Sequence, residues 1–209
     1  MGNLRARLKE AATEQILESA EAVMIRKGFA GATMQEIAAA AGCAAGTLYL
    51  HFASKEAILQ AINARRAETL FGLGHDAMAA VDDPLEKIRR SIAAQFRYLS
   101  ENKAFFRLFF SVNPFRPRGM RKHVGSQAWA LRSDYEAVEL EHLKAAQAKG
   151  QIRGDIAADV LQDCLHAISI NFADEYVQVE STMSEEELLR VVWGMFLSGV
   201  QAGGTDASK

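Results

Sequence analysis

Thr47, Tyr49, His51 and Lys55 place a hydroxyl, a phenol, an imidazole and an ammonium within one short stretch of chain. All four can donate a hydrogen bond, and no nucleophile stands beside a base among them. Donors of this kind suit phosphate oxygens, which fix a protein on nucleic acid without reading its sequence. Between and before them lie Ala44, Ala45, Gly46 and Leu50. Ala44, Ala45 and Leu50 offer apolar contact of the sort a thymine methyl accepts, and Gly46 permits close approach of the backbone. Thr33 and Gln35, a little upstream, add a second hydroxyl and an amide.

These side chains need rigid elements to hold them. Met34, Ile37, Ala38 and Ala41 recur at helical spacing, giving one narrow apolar face. Thr33 and Glu36 form a capping box at its start. Gly42 stands where a left-handed residue closes a helix most cheaply. A second short helix spans about 44–52, with Leu48 and Phe52 facing inward. Two helices joined by a glycine turn, the second small-faced and polar-edged, form a helix-turn-helix for the DNA major groove. A first helix over about 11–27, with Ile16, Ala20, Val23 and Met24 inside and Gly28 as its stop, clamps the pair. Residues 1–10 read as a flexible basic arm carrying Arg5, Arg7 and Lys9. Ser54 caps a fourth helix running to about Phe71, where Gly72 and Gly74 are expected to bend or fray it. Lys55 sits at its N-terminus, where dipole and ammonium together favour a phosphate.

At these residues the chain resembles a known family. Gly28-Phe29, Thr33, Ile37-Ala38, Ala41-Gly42, Gly46-Thr47-Leu48-Tyr49, Phe52 and Ser54-Lys55-Glu56 are similar to the TetR-type regulators, over about the first quarter of the sequence. The resemblance implies a homodimeric, all-helical, ligand-controlled repressor. It implies that Tyr49 and Lys55 contact phosphate, with Thr33 and Thr47 sharing that role. Three positions depart from the pattern: Cys43 replaces the usual Val, and Ala44 and Ala45 replace a frequent Ser and a basic or polar residue. These departures bear on which operator is read.

The 209 residues, 49% apolar, suffice for one sizeable core or two small ones. The formal net charge is -2, so no global basic excess announces a nucleic-acid binder. Residues 1–66 hold eight Lys or Arg against six Glu, a net of +2, which leaves -4 for the remainder. The few cations must therefore be well placed, and a dimer doubles them. Cys43 and Cys164 have neither metal-ligand nor redox-motif spacing and read as reduced structural thiols. No signal-peptide core is seen. The most apolar late run, 188–200, is too short to span a bilayer and contains Arg190. A cytoplasmic location, no membrane partner and no cofactor are expected.

Beyond Asp83-Pro84, a firm helix start with Glu86, apolar residues 85, 88, 92, 96 and 99 keep helical spacing. Phe105, Phe106, Leu108, Phe109 and Phe110 follow as the densest aromatic cluster in the chain. A long helix is expected from about Met120 to Ala148, closed by Gly150. Arg116, Arg118, Arg121 and Lys122 near its start are read as surface cations. Glu139 and His142 make a lone E-x-x-H pair; a di-iron bundle needs a second such pair and two more glutamates. Helices at about 159–179 and 184–200 carry apolar residues nearly all round, as a helix covered on two sides does. They are expected to form a four-helix contact between two copies, with Val192 and Phe196 as outward positions.

The resulting expectation is an all-α chain of about nine helices. Residues 1–56 form a three-helix helix-turn-helix domain, and residues 57–209 a ligand-binding and dimerisation domain. The partners are double-stranded DNA, a second copy, and a small apolar or aromatic effector. DNA contact falls to Thr33, Gln35, Ala44, Ala45, Gly46, Thr47, Tyr49, His51 and Lys55. The effector falls to Phe96, Phe106, Phe109, Phe110, Trp129, Tyr135, His166 and Asn171, in a cavity between the 85–99, 120–148 and 159–179 helices, its signal passing through the helix that begins at Ser54. No nucleophile constellation, metal set or phosphate loop points to an enzyme. The alternative is a DNA-binding regulator governed by a protein partner or by no small molecule.

Overall fold

The computed structural model describes residues 2–113, 124–178 and 183–200, the side chains of the first few apart. Among them are nine α-helices and no strand: α1 Gly2–Gly31, α2 Met34–Ala40, α3 Ala45–His51, α4 Lys55–Ala79, α5 Pro84–Glu101, α6 Lys103–Val112, α7 Ser126–Ala148, α8 Ala158–Gln178 and α9 Glu185–Val200. None is long and apolar enough to cross a membrane.

The start of α1 corrects the expectation of a flexible arm. Leu4 to Glu10 is an unbroken run of good helix formers, so the helix simply extends back to Gly2. Gly28 interrupts the helical dihedrals as expected, at φ 74° and ψ 161°, and one more turn follows to Gly31. The α2 cap is complete: Glu36 N donates to Thr33 Oγ1 and Thr33 N to Glu36 Oε2, each at 3.2 Å. Gly42, at φ 67°, then closes α2 in a Schellman arrangement, with Cys43 N donating to Ala38 O (3.0 Å) and Gly42 N to Ala39 O (3.2 Å).

The chain divides into two compact units, each assembled from two stretches: Met1–Ala67 with Ala104–Trp129, and Glu68–Lys103 with Ala130–Lys209. The first therefore reaches past the expected boundary at residue 56 and takes in most of α6. Charge explains the continuation along α4. Glu21 of α1 is buried and accepts from both Arg65 and Arg66, and Glu14 also accepts from Arg65. Arg66 lies over the Phe105 ring at 5.1 Å, which brings α6 into the same unit. Ala64, Val124 and Ala128 form a small core there, with Ala67 and Phe109 packed on it. The principal core is Ile16, Ala20, Met24, Ile37, Leu48, Ile58 and Ile62, all buried.

In the second unit α4 does not fray at its glycines but runs on to Ala79. A Cβ on Gly74 would lie 2.6 Å from Ser91 Oγ and 2.9 Å from Tyr135 Cε2, so this glycine allows α4 to lie close on α5 and α7. Asp83 caps α5 through Glu86 N (2.9 Å). The reciprocal half of a capping box is not made, because the Glu86 carboxylate turns to Arg89 and Arg90. Ser184 and Glu187 make a complete box on α9. Leu161, Leu165 and Val177 of α8, and Leu188, Val192 and Phe196 of α9, are buried within the unit. Val192 and Phe196 thus face inward, contrary to expectation: they share the helical stripe of Leu188. The exposed stripes are instead Val160, Cys164, Ala167 and Asn171 on α8, and Gly194, Met195 and Ser198 on α9. The expected start of α7 near Met120 and the cations 116–122 lie outside the described residues.

Candidate nucleic-acid interface

The short helices α2 and α3 are held from beneath by α1. Gln15 Nε2 donates to Ala41 O (3.1 Å) and Ser19 Oγ to Ala40 O (3.4 Å), so α1 satisfies carbonyls at the end of α2. Leu48, fully buried, pins α3 by one side chain. Everything else on α3 is at least partly accessible, and Ala44, Gly46, Thr47, Tyr49 and Leu50 are exposed. Ala44 caps α3 without a side-chain hydrogen bond, as its missing hydroxyl dictates.

The other expected contacts divide. Thr33 and Gln35 are exposed at the start of α2. The Thr33 hydroxyl accepts from Glu36 N. Lys27 and Thr33 hydrogen-bond the Glu36 carboxylate and hold its pKa below the ordinary 4.5. His51 is half-buried, its Nδ1 3.1 Å from Thr13 Oγ1 of α1. Lys55 is more constrained than its position suggests. Its Nζ donates to Ala32 O (2.7 Å) and Ala30 O (3.3 Å) and stands 4.7 Å from the centre of the Phe29 ring. An ammonium has three donors; two of these hold the α1–α2 turn, and the charge sits at the carbonyl of Ala32, the residue before Thr33.

The eight residues expected to line a cavity fall four in each unit. Phe106, Phe109, Phe110 and Trp129 belong to the first unit, where Phe106 stacks edge-on with Phe105 at 5.2 Å. Phe96, Tyr135, His166 and Asn171 belong to the second. Asn171 does not share the inner face: it lies on the exposed stripe of α8, one turn from Ala167.

Tyr135 and His166 belong to a buried network that sequence reasoning missed. Tyr135 Oη is 2.7 Å from Ser91 Oγ and accepts from Gln95 Nε2 at 2.7 Å; it donates to Glu139 Oε1 at 3.4 Å. Glu139, deeply buried, also takes His166 Nε2 at 2.6 Å and Gln162 Nε2 at 3.0 Å. Glu136, bound by Arg132 at 2.5 Å, lies 3.4 Å from His166 Nδ1. Burial alone would raise the Glu139 pKa, but the His166 hydrogen bond and charge, with Gln162 and Tyr135, leave it lowered. Burial would likewise lower His166; the Glu139 bond and charge and the Glu136 charge overcome it, against Arg132, and raise it. Burial first and the Glu139 charge second push the Tyr135 phenol well up. The legible signal was the i,i+4 spacing of Tyr135 with Glu139 and of Gln162 with His166, which puts each pair on one helix face.

Comparison with known proteins agrees with this geometry. Residues 16–62 match the family model described as bacterial regulatory proteins, tetR family. Over 114 residues the chain is 35% identical to Rv1255c, an uncharacterised HTH-type transcriptional regulator of Mycobacterium tuberculosis; the match covers 53% of this chain and 55% of that one. The chain therefore spans about half the length of that curated relative. PfmR, a TetR family regulator of Thermus thermophilus, superposes with a TM-score of 0.69 at 28% identity, over 88% of this chain and 97% of its own. FadR of Bacillus subtilis, solved in complex with stearoyl-CoA, shares the fold with a TM-score of 0.74 at 19% identity, over 90% and 99%.

Proposed function

We propose, from the premise that this chain belongs to the tetR family of bacterial regulatory proteins, that it is a homodimeric transcriptional repressor. It binds a palindromic operator through α2 and α3 and is released by a small, largely apolar ligand. The observation carrying the DNA-binding half is the outward face of α3: Gly46, Thr47, Tyr49 and Leu50, all exposed, on a helix fixed from below by Leu48. Such a face fits the major groove, with hydroxyls reaching the phosphate walls. The effector half rests on the aromatic content of the chain between 83 and 176, and a protein effector is the second outcome its test admits.

The test is fluorescence anisotropy on a duplex selected from a random library, repeated from low to high salt. Binding falls steeply with salt, since phosphate contacts dominate. Removing the Thr47 and Tyr49 hydroxyls (Thr47→Ala, Tyr49→Phe) weakens binding to selected and unrelated duplexes alike, by about tenfold or more per hydroxyl, as hydrogen bonds to charged groups do. Full affinity in the double variant means that α3 does not face the phosphates. A screen of apolar compounds for a thermal shift that coincides with DNA release tests the effector; a ligand need prefer one state by only about 1.4 kcal/mol to shift binding tenfold.

Gly46 makes a sharper case. It lies inside α3 with ordinary helical φ, and a Cβ there would meet nothing within 4 Å. The fold itself does not need this glycine, which loses more conformational freedom on folding than alanine would. Gly46→Ala is therefore expected to raise the melting temperature while weakening operator binding, two changes of opposite sign in one variant. A melting curve and a titration on the same preparation check it, and unchanged affinity would return Gly46 to chance.

A further inference from the structure

Leu50 is 83% exposed and Tyr49 51%. Their placement around α3 separates two roles. With about 100° per residue, Gly46 and Leu50 each lie about 160° from buried Leu48, one on either side of the pole opposite the core. They are i,i+4 neighbours and form the outermost ridge of the helix. Thr47 and Tyr49 lie about 100° from Leu48, one on each flank. In a major groove the ridge meets base edges and the flanks meet the two backbones. The flanks carry hydroxyls, as phosphate walls require. The ridge carries a glycine and a leucine, with no hydrogen-bonding side chain. Opposite such a ridge, the apolar feature a base pair presents in the major groove is the thymine 5-methyl group.

We infer that Leu50, brought close to the groove floor by the missing side chain of Gly46, is a specificity-determining residue that reads a thymine methyl in each half-site. This rests on α3 being the DNA-binding helix and goes beyond it, by stating what α3 reads. Ala44 and Ala45 are less suited to the role: Ala45 is half-buried, and Ala44 is the cap residue outside the helical ridge.

The experiment uses the full chain and its selected duplex, with thymines replaced one at a time by uracil. Uracil removes only the methyl and leaves every hydrogen-bonding group in place. Wild type loses about fourfold per modified half-site at one position, the worth of one buried methyl-sized group, and about fifteenfold when both half-sites are changed. Leu50→Ala, which removes an exposed side chain and leaves the core intact, binds the thymine and uracil duplexes equally. Uracil tolerated by wild type at every position overturns the inference while the DNA-binding reading stands. Uracil discrimination that survives in Leu50→Ala also overturns it, giving the methyl to another residue. If wild type selects no sequence and its binding shows no salt dependence, the DNA-binding reading itself fails, which is a separate result.

Discussion

A chain carrying Val160→Glu and Met195→Glu is expected to sediment as a folded monomer and to bind its operator roughly 100-fold or more weakly. Val160 and Met195 are 49% and 51% exposed, on the outward stripes of α8 and α9, while Leu161, Leu165, Leu188, Val192 and Phe196 are already buried within the unit. Cys164, Ala167 and Gly194 continue those stripes with small side chains, which let a partner helix approach closely. A carboxylate buried there without a partner costs several kcal/mol, against an interface built from modest apolar contacts. A monomer reaches only one half-site at a time, and losing the linkage between two binding events forfeits a factor of about 100 to 10000. Val192→Glu is the control: it places a charge in the core and is expected to unfold the protein rather than yield a monomer. Sedimentation and far-ultraviolet circular dichroism separate these outcomes. A double variant that stays dimeric with full affinity would move the interface elsewhere.

Removing Glu139 is expected to be the most damaging single truncation in the second unit. Glu139→Ala leaves His166, Gln162 and the Tyr135 phenol without their shared acceptor, and breaking a buried ion pair costs about 3–5 kcal/mol. Replacing both Glu139 and His166 by leucine is expected to recover most of that loss, because the pair itself offsets a large desolvation cost. The pH dependence has a definite sign. His166 is raised in the fold, so its contribution is complete below the ordinary value of 6.5 and fades as pH rises through the folded value. Glu139 is lowered, so its contribution is complete above 4.5 and fades as pH falls through the folded value. The network therefore stabilises most between those limits, and Glu139→Gln flattens the alkaline side of the profile. Urea denaturation at pH 6 and above pH 8 measures it; a wild-type profile flat through that range would contradict the pairing.

The reading half of the molecule was largely legible in the sequence, because its signals are local. A threonine three residues before a glutamate, an apolar repeat, and a glycine at the helix end each act within one turn of chain, and each is found where those signals place it. The second unit was legible only as helices. Apolar spacing marks Leu188, Val192 and Phe196 as one stripe, but it does not say whether that stripe faces its own unit or a partner. Only the tertiary packing puts Met195 outside and Val192 in. Aromatic density likewise marked Phe105 to Phe110 as important without saying which unit they serve; Arg66 and Glu21, distant in sequence, decide that. Lys55 shows the same limit at one residue. Its position favours an anion, but the carbonyls of Ala30 and Ala32 take two of its donors.

The two units are interleaved along the chain, and this has a consequence for how the protein is made. A ribosome delivers α1 to α3 and the first half of α4 early, yet the stretch that completes their unit, Ala104–Trp129, emerges only after α5. Until then Ala64 and Ala67 lack Val124, Ala128 and Phe109, and the Arg66 guanidinium lacks the Phe105 ring. The nascent reader thus carries an incompletely covered apolar patch through the synthesis of about sixty residues, about three to twelve seconds at ordinary elongation rates. A fragment ending at Ala67 would carry that patch permanently.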